Sequence, residues 1–256
     1  MILCLAVSTI LTNLDNAINV LRFVKCDNFN EIERIVICQN DVGYDYTEIV
    51  DGVTIHYVNS FGLSLSRNKA ISLCKAEYIW FLDDDVILCD SFIADFISSK
   101  SKNHDLYLGK IQCSDMDRSY KPYKKERLTR LSMLKVSSIE IIVKKSFVKD
   151  NNILFDLNMG LGAKYPSGEE NIFLLDCFDH NANIFDSNKI SIFHPCDEDK
   201  RIPINLWRKP GYPESKSIIA SRLGFFWGWL FKFRIIVKTY LSGVPLSLSL
   251  KILKKM

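Results

Sequence analysis

The sequence predicts an α/β fold, a central and mostly parallel sheet flanked by helices, with a helical tail at the carboxyl end. Two observations carry that expectation. Short apolar runs alternate with segments of helical spacing through the first half of the chain, and strands separated by helices lie parallel in a sheet covered on both faces. The 256 residues, 48% hydrophobic and 25% charged, suffice to bury a large core and exclude a disordered chain.

Taken in order, "MILCLAVST" is a buried first strand. A strand is expected there and not a signal peptide, since no basic residue precedes Arg22 and no small-residue cleavage site follows. Leu14, Ala17, Ile18 and Leu21 recur at helical spacing, and "RIVIC" and "VTIHYV" supply the next strands. A helix over "SRNKAISLCKA" leads into "YIWFL", whose unbroken apolar character suits a central strand. Residues 105 to 150 hold the strand "DLYLGKIQC", the basic loop "SDMDRSYKPYKKER" and a further strand in "VSSIEIIV". With little helix between them, they form a mixed region appended to the parallel half. No repeat and no linker appears before about residue 200, so residues 1–200 are expected as one domain and 201–256 as its tail.

Directly after "YIWFL" stand Asp83, Asp84 and Asp85. Adjacent carboxylates repel, and burial raises the cost of ionising them, so a positive partner is expected. Parallel sheets bind ligands beyond the carboxyl ends of their strands, where this triplet falls. While extended geometry persists, Asp83 and Asp85 face one side and Asp84 the other. Mg²⁺ or Mn²⁺, which take oxygen ligands and substrate phosphates together, fits such a site. A solvated acidic turn is the bland alternative.

The eight cysteines contain no CxxC pair and lie mostly in apolar runs, as reduced thiols of a cytoplasmic protein would. No apolar run reaches the roughly 18 residues of a membrane span. Residues 200 to 256 hold twelve Lys or Arg against Glu214 alone, a charge of +11 that leaves −8 on residues 1 to 199. Within the tail, "ASRLGFFWGWLFKFRIIVKTYLSG" interleaves aromatic and basic residues, the composition of a helix lying in an anionic membrane interface. No nucleic-acid-binding motif is present.

"LAVST", "GLSLSRNKAISLCKAEYIWFLDDDV", "FDLNMGLGAKYPSGEENIFLLDCF" and "IFHP", in that order, resemble the family 2 glycosyltransferases of GT-A fold, particularly bacterial enzymes of surface-polysaccharide synthesis. The resemblance covers roughly residues 1 to 200. It implies a nucleotide-diphospho-sugar donor, a UDP-sugar first among them, held through Mn²⁺ or Mg²⁺ by the acidic triplet. It assigns Asp85 to direct metal contact, Asp83 to the nucleotide and the metal, and Asp84 to shaping the site. Ser8 and Thr9 would lie beside the nucleotide, Arg67 and Asn68 would contact the donor, and His194 would be a third metal ligand or diphosphate contact. Where the family commonly has a base-reading aspartate after the second strand, this chain has Gln39 and Asn40. The family's Glu-Asp pair, here Glu169 and Glu170, supplies the catalytic base, Glu170 first and Glu169 second. The acceptor would be a saccharide or a lipid-diphosphate-linked sugar at the inner face of the cytoplasmic membrane. From the residues alone, Ser167 and Glu170 form a capping-box signature at a helix start.

Two further readings stand beside this one. A sugar-nucleotide-binding relative without activity would share the motifs. "FLDDDVI" also approximates the nucleophile motif of haloacid-dehalogenase-like phosphatases, although that motif follows a first strand and Ile87 departs from it.

Overall fold

A computed structural model describes residues 1–22, 24, 31–41, 43–99, 103–114, 120–123, 128–195 and 204–253. Its strands are β1 (Leu3–Ile10), β2 (Ile32–Gln39), β3 (Tyr46–Val50), β4 (Val53–Val58), β5 (Tyr78–Leu82), β6 (Leu106–Cys113), β7 (Ile141–Lys144) and β8 (Ile184–His194). They form one sheet in the order β3-β4-β2-β1-β5-β7-β6-β8. β4, β2, β1 and β5 run parallel, which brings the carboxyl ends of β1, β2 and β5 to one rim. β7 runs antiparallel between β5 and β6, and β8 lies parallel to β6. This is the mixed region expected after the parallel half.

The helices are α1 (Leu14–Arg22), α2 (Leu63–Leu73), α3 (Asp90–Ser99), α4 (Arg130–Met133), α5 (Lys145–Asp150), α6 (Glu169–Asp179), α7 (Ile204–Arg208), α8 (Tyr212–Arg222), α9 (Phe225–Leu241) and α10 (Leu246–Ser249). Side chains alternate across a strand, so β5 serves two cores. Tyr78, Trp80 and Leu82 pack with Ala17 and Leu21 of α1 and with Ile93 and Phe96 of α3. Ile79 and Phe81 face the other way, toward Ala70 of α2 and Phe173 and Leu174 of α6. The whole of β5 is buried, as its unbroken apolar run requires.

The tail divides in two. Ile219 of α8 joins Met159 and Ile172 in a third core, and Arg222 pairs with Asp176, so α8 is fastened to α6. α9 then leaves Phe225, Phe226, Trp227, Trp229 and Phe233 exposed. Among the described residues, no helix is long and apolar enough to cross a membrane.

The cysteines depart from expectation at one position. Cys4, Cys38, Cys74 and Cys177 are buried and free, but Cys113 at the end of β6 is disulfide-bonded. Spacing along a chain does not report approach in space, which is what disulfide formation requires. Cys26 and Cys196 lie outside the described residues, as do Lys124, Lys125 and Arg127 of the basic loop.

Candidate active site

The period-two alternation that divides β5 between two cores also separates its acidic triplet. Asp83 continues the side of Phe81, toward α2 and α6, where Arg67 Nη2 donates to it at 3.2 Å. Asp84 continues the side of Leu82 and accepts a hydrogen bond from Thr9 at the end of β1. The chain turns after Asp84, and Asp85 Oδ2 meets His194 Nε2 of β8 at 3.4 Å. A cleft of about 330 Å³ opens between α1 and the triplet, lined by Asn16, Asn19, Asp84, Asp85 and Leu88. Burial pushes the Asp83 carboxyl above its ordinary value while the Arg67 guanidinium opposes the shift, and 39% of the side chain stays exposed.

Arg67 links the two acidic clusters. Only 2% of it is exposed; it donates through Nη1 to Glu169 Oε1 at 2.9 Å, and its guanidinium carbon lies 5.5 Å from the centre of the Phe155 ring. Phe155 stacks on Phe173 of α6 with ring centroids 4.2 Å apart, which fixes the wall beside the guanidinium. Gly160 and Gly162 let the preceding loop approach closely. Both have positive φ, and a Cβ on Gly160 would lie 3.2 Å from the Glu169 carboxyl. Ser64 of α2 donates to the Met159 carbonyl at 2.6 Å, tying that loop to the start of α2.

At the start of α6, the expected capping box does not form. Gly168 is the N-cap, with φ 92° and no side-chain cap bond, and Ser167 Oγ bonds instead to Ser215 of α8 at 2.8 Å. Glu170 is thereby left out of a capping box. It is partly buried, and desolvation first, with the Glu169 charge second, raises its carboxyl to about 7. Glu169, 6% exposed and bonded to Arg67, is committed to holding the cleft together.

Other sequence-predicted residues line the rim but are spent on the scaffold. Asn68 donates to and accepts from the Phe155 backbone, both at 2.8 Å, so its amide braces the loop and not an open cleft. Gln39 Oε1 accepts from the Gly62 amide at 2.6 Å, which secures the entry to α2. Asn40 is 2% exposed, and its own amide donates to the Val58 carbonyl at 2.9 Å. Ser8 is buried at the end of β1, level with Ile37 of β2. Local spacing offered no sign of Lys216, Ser215 and Tyr212, which α8 brings to the start of α6 from more than forty residues away.

The donor chemistry suits a divalent ion. Two ligands about 2.1 Å from an octahedral ion, at right angles, stand about 3 Å apart, close to the observed separation of Asp85 Oδ2 and His194 Nε2. His194 Nδ1 lies 2.6 Å from the Pro195 carbonyl, a bond that orients the ring and leaves Nε2 toward Asp85. A different grouping, Cys4, Glu33 and Cys74, has its ligand atoms within 4.8 Å of one another but sits at the opposite end of the strands. There Glu33 Oε2 already accepts from the amides of Lys75 and Ala76, and burial keeps the Cys4 thiol protonated. A larger hollow of about 510 Å³, beneath Lys110, Tyr123, Met133 and Arg234, has its carboxylates Asp186 and Glu140 paired with Lys110 and Lys121.

Comparison with known proteins identifies the family and the fold. The model of the glycosyl transferase family 2 matches residues 28–157, half of the chain. The poly(ribitol-phosphate) beta-N-acetylglucosaminyltransferase TarP of Staphylococcus aureus (strain N315) is 30% identical over 105 residues, which cover 38% of this chain and 32% of TarP. The match thus spans about a third of that relative's length. Among solved structures, S. aureus TarS 1–349 superposes with a TM-score of 0.64 at 16% identity, covering 100% of this chain and 76% of TarS 1–349. Its complex with UDP-GlcNAc gives a TM-score of 0.62 at 18% identity, over 87% of this chain and 66% of the other. The phosphatase-like reading of the triplet falls away, because β5 is an inner strand of a GT-A sheet and not the first strand. By sequence and by fold, the chain belongs to the glycosyl transferase family 2.

Proposed function

We propose that the protein is an inverting, metal-dependent glycosyltransferase that moves a sugar from a nucleotide diphosphate to a hydroxyl of a saccharide or lipid-diphosphate-linked acceptor in surface-polysaccharide assembly. The observation that carries this reading is the guanidinium of Arg67, which joins Asp83 on the donor side to Glu169 beside Glu170. Donor and base are thereby held in one frame. Because the similar TarS was solved with UDP-GlcNAc, a UDP-sugar is the first donor to test.

In this reading, Glu170 accepts the acceptor hydroxyl's proton while the oxygen attacks the anomeric carbon. The new carbon–oxygen bond forms as the bond to the β-phosphate oxygen breaks, and the nucleoside diphosphate leaves from the opposite face, inverting the centre. Asp85 and His194, with Asp83 beside them, would hold Mn²⁺ or Mg²⁺, which when bound offsets the charge of the leaving diphosphate. Arg67 keeps Asp83 and Glu169 at fixed separation, and Asp84 anchors the turn through Thr9. We assign residues 1–200 to catalysis and α9, basic and aromatic, to an anionic membrane surface on the cytoplasmic side.

The test is a thermal-shift screen of nucleotide sugars with and without Mn²⁺, followed by assay of UDP release from each compound that binds. Ligands that bind only the folded state raise the melting temperature. A Mn²⁺-dependent shift with turnover supports the proposal. Binding without turnover in the presence of lipid-linked and free saccharide acceptors would identify an inactive relative, and no shift with any nucleotide would remove the donor site.

A further inference from the structure

The start of α6 carries two adjacent carboxylates, Glu169 and Glu170, and the body of the sheet offers them Arg67, which already divides its charge between Glu169 and Asp83. Two neighbouring partly buried carboxylates do not both ionise without further positive charge. The tail brings a second cation to this point. Lys216 of α8 donates through Nζ to Ser167 Oγ at 3.1 Å and lies 4.8 Å from the centre of the Tyr212 ring. An ammonium only donates, so the Ser167 hydroxyl donates in turn to Ser215 Oγ at 2.8 Å, and Ser215 donates to the Tyr212 carbonyl at 2.7 Å.

This chain of bonds is clamped from both ends. A Cβ on Gly168 would lie 2.6 Å from Ile219 Cδ1, and one on Gly211 would lie 2.2 Å from the Lys164 carbonyl oxygen. α8 therefore presses directly on the segment that carries the acidic pair. Among the described residues, no carboxylate lies within 4 Å of Lys216 Nζ to neutralise it in a direct ion pair. The groups that face Glu170 are Glu169 on its own helix, Arg67 from α2, and Lys216 and Tyr212 from α8. Burial lowers the Lys216 ammonium below its ordinary value, and the Glu170 and Glu169 charges oppose that shift.

We propose that Lys216 is a positioning residue for the transfer reaction: its ammonium, anchored by Ser167 and the Tyr212 ring at the start of α6, adds positive charge that favours the Glu170 carboxylate as proton acceptor. The proposal rests on the reading of Glu170 as the base. It assigns part of the active site to α8, beyond the stretch that the family model matches.

The experiment follows the Glu170 carboxyl directly. The ¹³C-carboxyl titration, assigned by its loss in Glu170→Gln, is recorded for wild type, Lys216→Met, Lys216→Arg and Ser167→Ala, and the pH profile of UDP release from UDP-GlcNAc with Mn²⁺ is measured in parallel. Lys216→Met should raise the Glu170 midpoint by about one unit, and the acidic limb of UDP release should move the same way, a loss of about tenfold well below the midpoint. Lys216→Arg should stay near wild type, and Ser167→Ala, which loosens the ammonium without removing it, should shift the midpoint less in the same direction. An unmoved midpoint in folded Lys216→Met overturns the proposal. A midpoint that moves while wild type releases no UDP at any pH keeps the Lys216–Glu170 pairing and overturns the base reading instead.

Discussion

Arg67 and Glu169 form a buried ion pair 2.9 Å apart, joining helix α2 to the start of α6 across 102 residues of sequence. Removing one partner of such a pair leaves the other charge buried and uncompensated, at a cost of about 3–5 kcal/mol. Arg67→Met should therefore lower unfolding free energy in urea by that order, and Arg67→Lys should recover only part of it, because one ammonium cannot bridge Glu169 and Asp83 as a planar fork does. A loss below about 1 kcal/mol for the Met variant would mean that the pair contributes little to holding the cleft.

The three aspartates should separate by function because they separate in space. Asp85 faces His194, whereas Asp84 is tied to Thr9. Calorimetric titration of UDP with and without Mn²⁺ should show Asp85→Asn losing at least about tenfold of the Mn²⁺-linked affinity, with His194→Ala weakening it in the same direction. Asp84→Asn should lower thermal stability more than it alters the metal dependence. If Asp85→Asn binds UDP with unaltered Mn²⁺ dependence, the metal lies elsewhere.

Glu170 makes a prediction of opposite sign to the one its helix position suggests. A helix-capping glutamate stabilises, so its removal would destabilise. Here the folded carboxyl is raised to about 7, above an unfolded value of about 4.3. The unfolded chain then binds fewer protons between those two values, so stability is full below the lower one and is lost as pH rises through about 7. Glu170→Gln removes that loss. The variant should melt a few degrees above wild type at pH 8 and close to it at pH 4.5, while sugar transfer falls by at least about a hundredfold. A variant less stable than wild type at pH 8 would return Glu170 to a structural role.

Much of this site follows from local sequence because β5 is an unbroken apolar strand. Its two-sided burial means that residues 83 and 84 must diverge, and they do, toward Arg67 and Thr9. β3 carries a weaker local signal. Four of its five residues are exposed, so it lacks the apolar pattern of a strand, although the Asp51-Gly52 turn that follows, with φ 51° and 76°, is a strong hairpin signal. The start of α6 misleads for a different reason. Ser167 carries a capping signature, but a lysine 49 residues away takes its hydroxyl, and no local pattern reports a partner at that distance. Asn68 and Gln39 occupy donor-binding positions by resemblance, yet their side chains are drawn into bracing Phe155 and Gly62.

α9 crosses α8 closely because Gly228 has no side chain; a Cβ there would lie 2.3 Å from the Ala220 carbonyl oxygen. Beyond that contact the helix exposes Phe225 at 86%, Phe233 at 66% and Leu241 at 78%, with Trp227 and Trp229 about half exposed. An apolar patch of this extent is costly in water. Its 17 residues span about 26 Å, and Lys232, Arg234 and Lys238 interrupt them, so the helix suits a membrane interface and not a crossing. Basic residues near an anionic surface contribute about 1 kcal/mol each, and buried aromatic side chains about 1.5–3 kcal/mol each. The full chain should therefore sediment with phosphatidylglycerol vesicles and much less with phosphatidylcholine vesicles. Replacing Phe226, Trp227 and Trp229 together by Ala should reduce the bound fraction at least about tenfold, whereas added salt should weaken binding without abolishing it, because the apolar part is not screened. Wild-type protein that stays in the supernatant with anionic vesicles would leave α9 without a membrane role.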